Sequence, residues 1–174
     1  MTLPYPATLQ TTERVLKALS LLNLLYGAGL VLLLVASLVA PDLVIAGLAG
    51  PRARGEPGLA QAMRTLMIAG LAAVPVAQFL LTRLRAMLQT VRDGAPFALA
   101  NAIRLKHIAY ALLALELLHL AVGVMLSSSV FDAFGLHIDW CFSFTPWVAI
   151  LLLRVLARVF EHGARLRADL DGVI

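Results

Sequence analysis

Residues 15–40 read VLKALSLLNLLYGAGLVLLLVASLVA. One cation, Lys17, stands near the start, and no charged side chain follows as far as Ala40. A helix needs about 20 predominantly apolar residues to cross the ~30 Å hydrocarbon of a bilayer, and this run is longer. It also exceeds the roughly 7–15 apolar residues of a secretory signal. Pro41 follows Ala40 directly, where a leader would be cut. The segment therefore reads as a retained membrane span.

Three further runs qualify downstream: 65–84, 108–126 and 144–160. The breaks between them are chemical. Pro41 and the stretch Gly50-Pro51-Arg52-Ala53-Arg54-Gly55-Glu56-Pro57-Gly58 end the first span. Asp93-Gly94-Ala95-Pro96 separates the second from the third, and Ser127-Ser128-Ser129 with Gly135 separates the third from the fourth. Runs this long without period-two alternation exclude a membrane β-barrel. Composition agrees: 61% of the 174 residues are hydrophobic and 14% charged, against ~45–50% and ~25% in a soluble domain. The expected fold is all-α, a four-helix integral membrane bundle forming a single membrane domain over 1–174.

Cationic side chains near span ends set orientation. Arg14 and Lys17, then Arg83, Arg85, Arg92, Arg104 and Lys106, then Arg158, Arg165 and Arg167 all fall on one side of a four-span chain. The opposite side holds Arg52, Arg54 and Arg64, and 127–143 contains no Lys or Arg. Both termini are expected in the cytoplasm. The net charge of +4 is thus a topology signal and predicts no direct nucleic-acid binding. Arg outnumbers Lys twelve to two amid abundant Ala and Leu, a composition suited to a GC-rich bacterial genome. Cys141 is the sole cysteine, which excludes an intrachain disulfide and a cysteine metal cluster.

Ionisable groups inside spans are costly and mark candidate sites. Glu116 lies near the middle of the third span and Arg154 near the middle of the fourth. At ~1.5 Å rise per residue Glu116 lies roughly 13–15 Å from the inner edge and Arg154, on a helix running the opposite way, roughly 15 Å from the outer edge, at about the same depth, so an ion pair is geometrically allowed; the alternative is an Arg154 that snorkels along its helix. His119 follows Glu116 at i+3, on one helix face. That spacing occurs in carboxylate-bridged metal sites, but it serves equally as a hydrogen-bonded polar cluster or a proton site. Asn23 and Gln78 are expected to join this midplane cluster. Ala69, Ala73 and Ala77 make a small-residue stripe, and Pro75 should kink its helix. His137, Asp139 and Cys141 alternate between the third and fourth spans, where Trp140 and Trp147 mark an interfacial belt; three ligand types at period two do not make a metal site. No catalytic, phosphate-loop or dinucleotide motif is present, so neither an enzyme nor a cofactor is expected.

Beyond the last span, Glu161, Arg165 and Asp169 repeat at i,i+4 and support a helical tail over 161–174. This tail and the connection before the third span are the two charged segments available to a partner. Val91-Arg92-Asp93-Gly94-Ala95-Pro96-Phe97, then Asn101-Ala102 and Arg104-Leu105-Lys106-His107-Ile108, resemble a Gly-x-Pro-Phe…Asn-Ala-x-Arg-Leu-x-x-Ile signature. Leu156-Ala157-Arg158-Val159-Phe160-Glu161-His162-Gly163-Ala164-Arg165-Leu166-Arg167-Ala168-Asp169-Leu170 resembles a Leu-Ala-x-Val-Phe-x-x-Gly-x-x-Leu-x-x-Asp ending. Together they resemble the bacterial membrane family catalogued as domain of unknown function 2975. The final Asp171-Gly172-Val173-Ile174 departs from the family's Asp-Leu-Thr-Ile/Val tail.

The resemblance implies a small inner-membrane protein without assigned enzymatic activity, with a small helix-turn-helix regulator as a candidate partner. The leading expectation is a non-catalytic modulator or sensor that binds a cytoplasmic or membrane partner, or a second copy of itself, through Arg92, Phe97, Asn101, Arg104, Lys106, Arg158, Glu161, Arg165 and Arg167. The alternatives are a small transporter or ligand- or proton-sensing bundle using Glu116, His119 and Arg154, and an accessory subunit of a larger membrane complex.

Overall fold

The computed structural model describes residues 7–50, 57–94, 98–126 and 142–171. Among these the chain forms five helices: α1 (Ala7–Val39), α2 (Pro41–Ala49), α3 (Pro57–Arg92), α4 (Leu99–Leu126) and α5 (Thr145–Asp171). Phe97, His137, Asp139, Trp140 and Cys141 lie outside the described residues, as do Arg52 and Arg54; nothing is described of the Arg167 side chain.

Among the described residues three helices are long and apolar enough to cross a membrane: Leu9–Val39, Gly58–Arg92 and Leu99–Met125. Each outruns the apolar segment expected from sequence. Hydrophobic length reports the hydrocarbon thickness, whereas a helix continues into the polar zone until proline or glycine stops it. α5 is 27 residues long, but its apolar part is interrupted by Arg154, Arg158 and Glu161.

Local chemistry sets the ends. Ala40, forced from helical geometry by the following Pro41, takes φ −139° and ψ 68°. Pro41 then opens α2, with Asp42 in its first turn, where the proline needs no amide partner and the carboxylate meets the helix dipole. The sequence reading took Pro41 only as a stop and missed this helix. α3 closes on Gly94, whose φ of +74° is a left-handed cap natural to glycine; its amide donates to the Val91 carbonyl at 3.2 Å. Pro75 sits inside α3, which stays helical through it.

Packing divides the chain into two compact units. The first comprises Met1–Leu22, Val76–Ala114 and Ser143–Ile174; the second comprises Asn23–Pro75 and Leu115–Phe142.

In the second unit, α1 and α3 approach closely. A Cβ on Gly27 would stand 3.0 Å from Val74 Cγ1, and one on Gly70 would stand 3.0 Å from Leu30 Cδ1 and 3.2 Å from the Tyr26 hydroxyl. The close approach thus belongs to two glycines, while Ala69 and Ala73 of the expected alanine stripe are only half-buried. Asn23 donates to the Val74 carbonyl at 3.0 Å, next to the proline that interrupts the α3 ladder. Arg64 donates to the Ser37 carbonyl at 2.6 Å. Ile45 and Leu59 form a small buried core with Met63, Leu66 and Met125 packed against it.

In the first unit, Ala102, Leu105, Ile108 and Ala109 of α4 are buried, as are Leu16 of α1 and Ala157 of α5. Gln78 donates to the Ser20 hydroxyl at 2.6 Å. In both units polar side chains such as Ser20, Ser37, Asn101 and Glu116 are buried, while Leu22, Leu32, Leu38, Leu151 and Val155 are exposed. That distribution suits a hydrocarbon solvent, where polar groups must find partners inside the protein.

Candidate functional site

Polar side chains gather in the first unit, where the ends of α1, α3, α4 and α5 contribute to it. The turn from α3 to α4 is tied by a knot. Arg104 Nη1 donates to the Ala86 carbonyl at 3.0 Å, to Thr90 Oγ1 at 2.8 Å and to Asn101 Oδ1 at 2.9 Å. Thr90 Oγ1 lies 2.8 Å from Asn101 Oδ1 and can donate to it. Asn101 has 0% exposure, and its backbone N–H donates to the Ala98 carbonyl at 2.8 Å. These contacts explain the spacing of the Asn-Ala-x-Arg motif. Asn101 and Arg104, three apart, share one helix face, and both reach the last turns of α3. Ala102 at 1% exposure leaves room for that approach. Asn101 therefore serves the elbow and presents no surface to a partner.

Two ionic clasps lie in the same unit. Glu13 of α1 accepts from Arg92 of α3 at 2.7 Å and from Lys17 at 2.7 Å. Glu161 of α5 accepts from Lys106 of α4 at 2.8 Å and from Arg165 at 3.2 Å. The hydrogen bond and charge of Lys106 hold the Glu161 carboxyl below the usual carboxylate range, with desolvation opposing the effect and Arg165 adding to it. A carboxylate with a lowered folded-state pKa contributes stability that is complete above its ordinary pKa. That contribution is lost as pH falls through the ordinary value toward the lowered one. Thermal midpoints in detergent, followed down an acid series, should show this decline in the parent and a flatter acid side in Glu161→Gln.

The midplane residues are distributed over both units. Glu116 is buried in the second unit, whereas His119, one turn on, is exposed. Their i+3 spacing therefore gives two different environments. Asn23 bonds the Val74 carbonyl in the second unit and Gln78 the Ser20 hydroxyl in the first. Arg154 is exposed in the first unit, its guanidinium 5.7 Å from the centre of the Tyr110 ring, a cation–π distance. Among the described residues no three metal-ligating side chains come together.

Sequence reasoning did not single out Glu13, Thr90 or Tyr110. For Glu13 the available signal was an acidic residue just before the first apolar run. Thr90 and Tyr110 carry none, because their roles depend on helix rotation. Among the described residues these contacts position helices and display charge.

No curated protein and no solved structure matches the chain. A family match covers residues 7–174. The elbow and the clasped end of α5 fall within it and carry the two motifs that pointed to the same family. The chain belongs to the family described as Protein of unknown function (DUF2975).

Proposed function

We propose that this chain is a non-catalytic protein of the bacterial inner membrane, with four spans and both termini cytoplasmic, that docks an acidic protein partner through the end of α5. The supporting observation is the Lys106–Glu161–Arg165 clasp. It fixes the start of the charged tail against α4, while the helix runs on to Asp171 with Arg165 exposed. A soluble regulator of the helix-turn-helix type, presenting carboxylates, is the partner that the family resemblance favours.

Topology is tested first. A reporter fused after Ile174 should read cytoplasmic; an extracytoplasmic signal would discard the four-span arrangement. Docking is tested by a photo-crosslinking residue at Leu166 in native membranes. One discrete protein adduct should form and should vanish in Arg165→Glu/Arg167→Glu. An adduct indifferent to that reversal would overturn the docking surface.

The second reading is a proton- or ligand-responsive bundle, favoured by the buried Glu116 carboxyl in the apolar run of α4. Intramembrane carboxyls are functional by default. Glu116→Gln should abolish such a response with the thermal midpoint unchanged; a change in midpoint alone makes Glu116 structural.

A further inference from the structure

The first unit contains a groove of about 780 Å³ between α4 and α5. Lys106 and Tyr110 line it from α4, and Leu151, Arg154, Val155 and Arg158 from α5, with Glu161 one turn further along. Its charges do not balance internally. Glu161 is already shared by Lys106 and Arg165. Arg154 and Arg158 take part in no ion pair among the described residues. Both are exposed.

These two arginines are four residues apart, so they stand one above the other on a single helix face. Leu151 and Val155 make a parallel apolar strip beside them and are 64% and 61% exposed. An uncompensated cation within hydrocarbon is costly, and guanidinium groups match phosphate oxygens in bidentate geometry. The ligand that satisfies both strips carries a phosphate at one end and a hydrocarbon chain at the other.

We propose that the groove is a binding site for one anionic phospholipid. Its phosphate lies on Arg154 and Arg158, and its acyl chain runs along Leu151 and Val155. Tyr110 steadies the Arg154 guanidinium by its ring face, and the Lys106–Glu161 pair closes the polar end. The proposal rests on the reading that α5 crosses the membrane. It does not depend on the protein partner.

The test is native mass spectrometry of the full chain in neutral detergent, titrated with phosphatidylglycerol or phosphatidylcholine. The parent should retain one phosphatidylglycerol in preference to phosphatidylcholine. Arg154→Gln and Arg158→Gln should each weaken retention about fivefold, the weight of one near-surface cation–lipid contact, and together should remove the preference. Equal retention of both lipids by the parent would overturn the site, as would unchanged retention in the double variant. Displacement by millimolar inorganic phosphate would assign the groove to a free anion instead.

Phosphatidylglycerol with a photoreactive acyl chain needs no variant. Labelling of the peptide containing Leu151 and Val155 supports the site, and labelling confined to other peptides overturns it. An extracytoplasmic reporter at Ile174 would remove the four-span reading and leave these lipid measurements standing. Failure of lipid retention beside a cytoplasmic reporter would remove the groove alone.

Discussion

Asn101→Leu should destabilise the detergent-solubilised chain by about 2–3 kcal/mol, whereas Asn101→Asp should not. Leucine shares asparagine's branched outline but is the larger residue, so beside some overpacking there is a polar loss. It arises because Arg104 Nη1 and Thr90 Oγ1 both aim at Asn101 Oδ1. With that acceptor gone, Arg104 Nη1 keeps the Ala86 carbonyl and Thr90 Oγ1, and Thr90 can turn to the Ala86 or Met87 carbonyl, but the charge-assisted bond to the amide oxygen is lost. Hydrogen bonds to charged groups are worth about 1.5–3 kcal/mol. Aspartate keeps the acceptor and adds charge complementarity. Reversible unfolding in mixed micelles gives the comparison. Combining Asn101→Leu with Arg104→Met should cost less than the sum of the two, because the pair acts as a unit. Additivity would detach Asn101 from Arg104 energetically.

Gly27→Leu is expected to cost about 2–3 kcal/mol by forcing α1 and α3 apart. Even the first added carbon would stand 3.0 Å from Val74 Cγ1 and 3.3 Å from Cγ2. Valine in a helix is almost confined to one rotamer and cannot turn away. Gly70 offers the contrast. Its nearest neighbours are the far ends of two flexible side chains, Leu30 Cδ1 and the Tyr26 hydroxyl, which can move by a few tenths of an ångström. Gly70→Ala should therefore be far milder than Gly27→Leu in the same unfolding assay. Equal losses at the two sites would mean that backbone approach, and not the rigidity of Val74, sets the tolerance.

Much of the architecture was legible before any coordinates. The runs 15–40, 65–84 and 108–126 each fall within, or within one residue of, a long apolar helix, and Glu161 with Arg165 forms the expected i,i+4 pair. α2 was not legible, because Pro41 ends one helix and begins the next, and a reading of breaks records only the first. Asn101 was legible as a motif residue but not as a buried one. Its neighbours Arg104 and Lys106 are cations in the first turns of α4, and the rotation of α4 alone turns Asn101 inward. Arg154 was legible as a cation within the fourth apolar run, while its partner, the Tyr110 ring, was not.

The sequence by itself determined the all-helical, membrane-type character of the chain, the positions of its long apolar segments and the family to which it belongs. Transfer of a segment into hydrocarbon is a sum over consecutive side chains, so it can be added up along the chain. Tertiary structure alone decided which polar groups meet: Arg104 with Thr90 and Asn101, Glu13 with Arg92, Glu161 with Lys106, Arg154 with Tyr110. Each such meeting depends on the rotation and axial register of two helices. A residue's face turns by about 100° per step along a helix of 3.6 residues per turn. A small change in either helix would exchange every partner while leaving the hydropathy of each segment untouched.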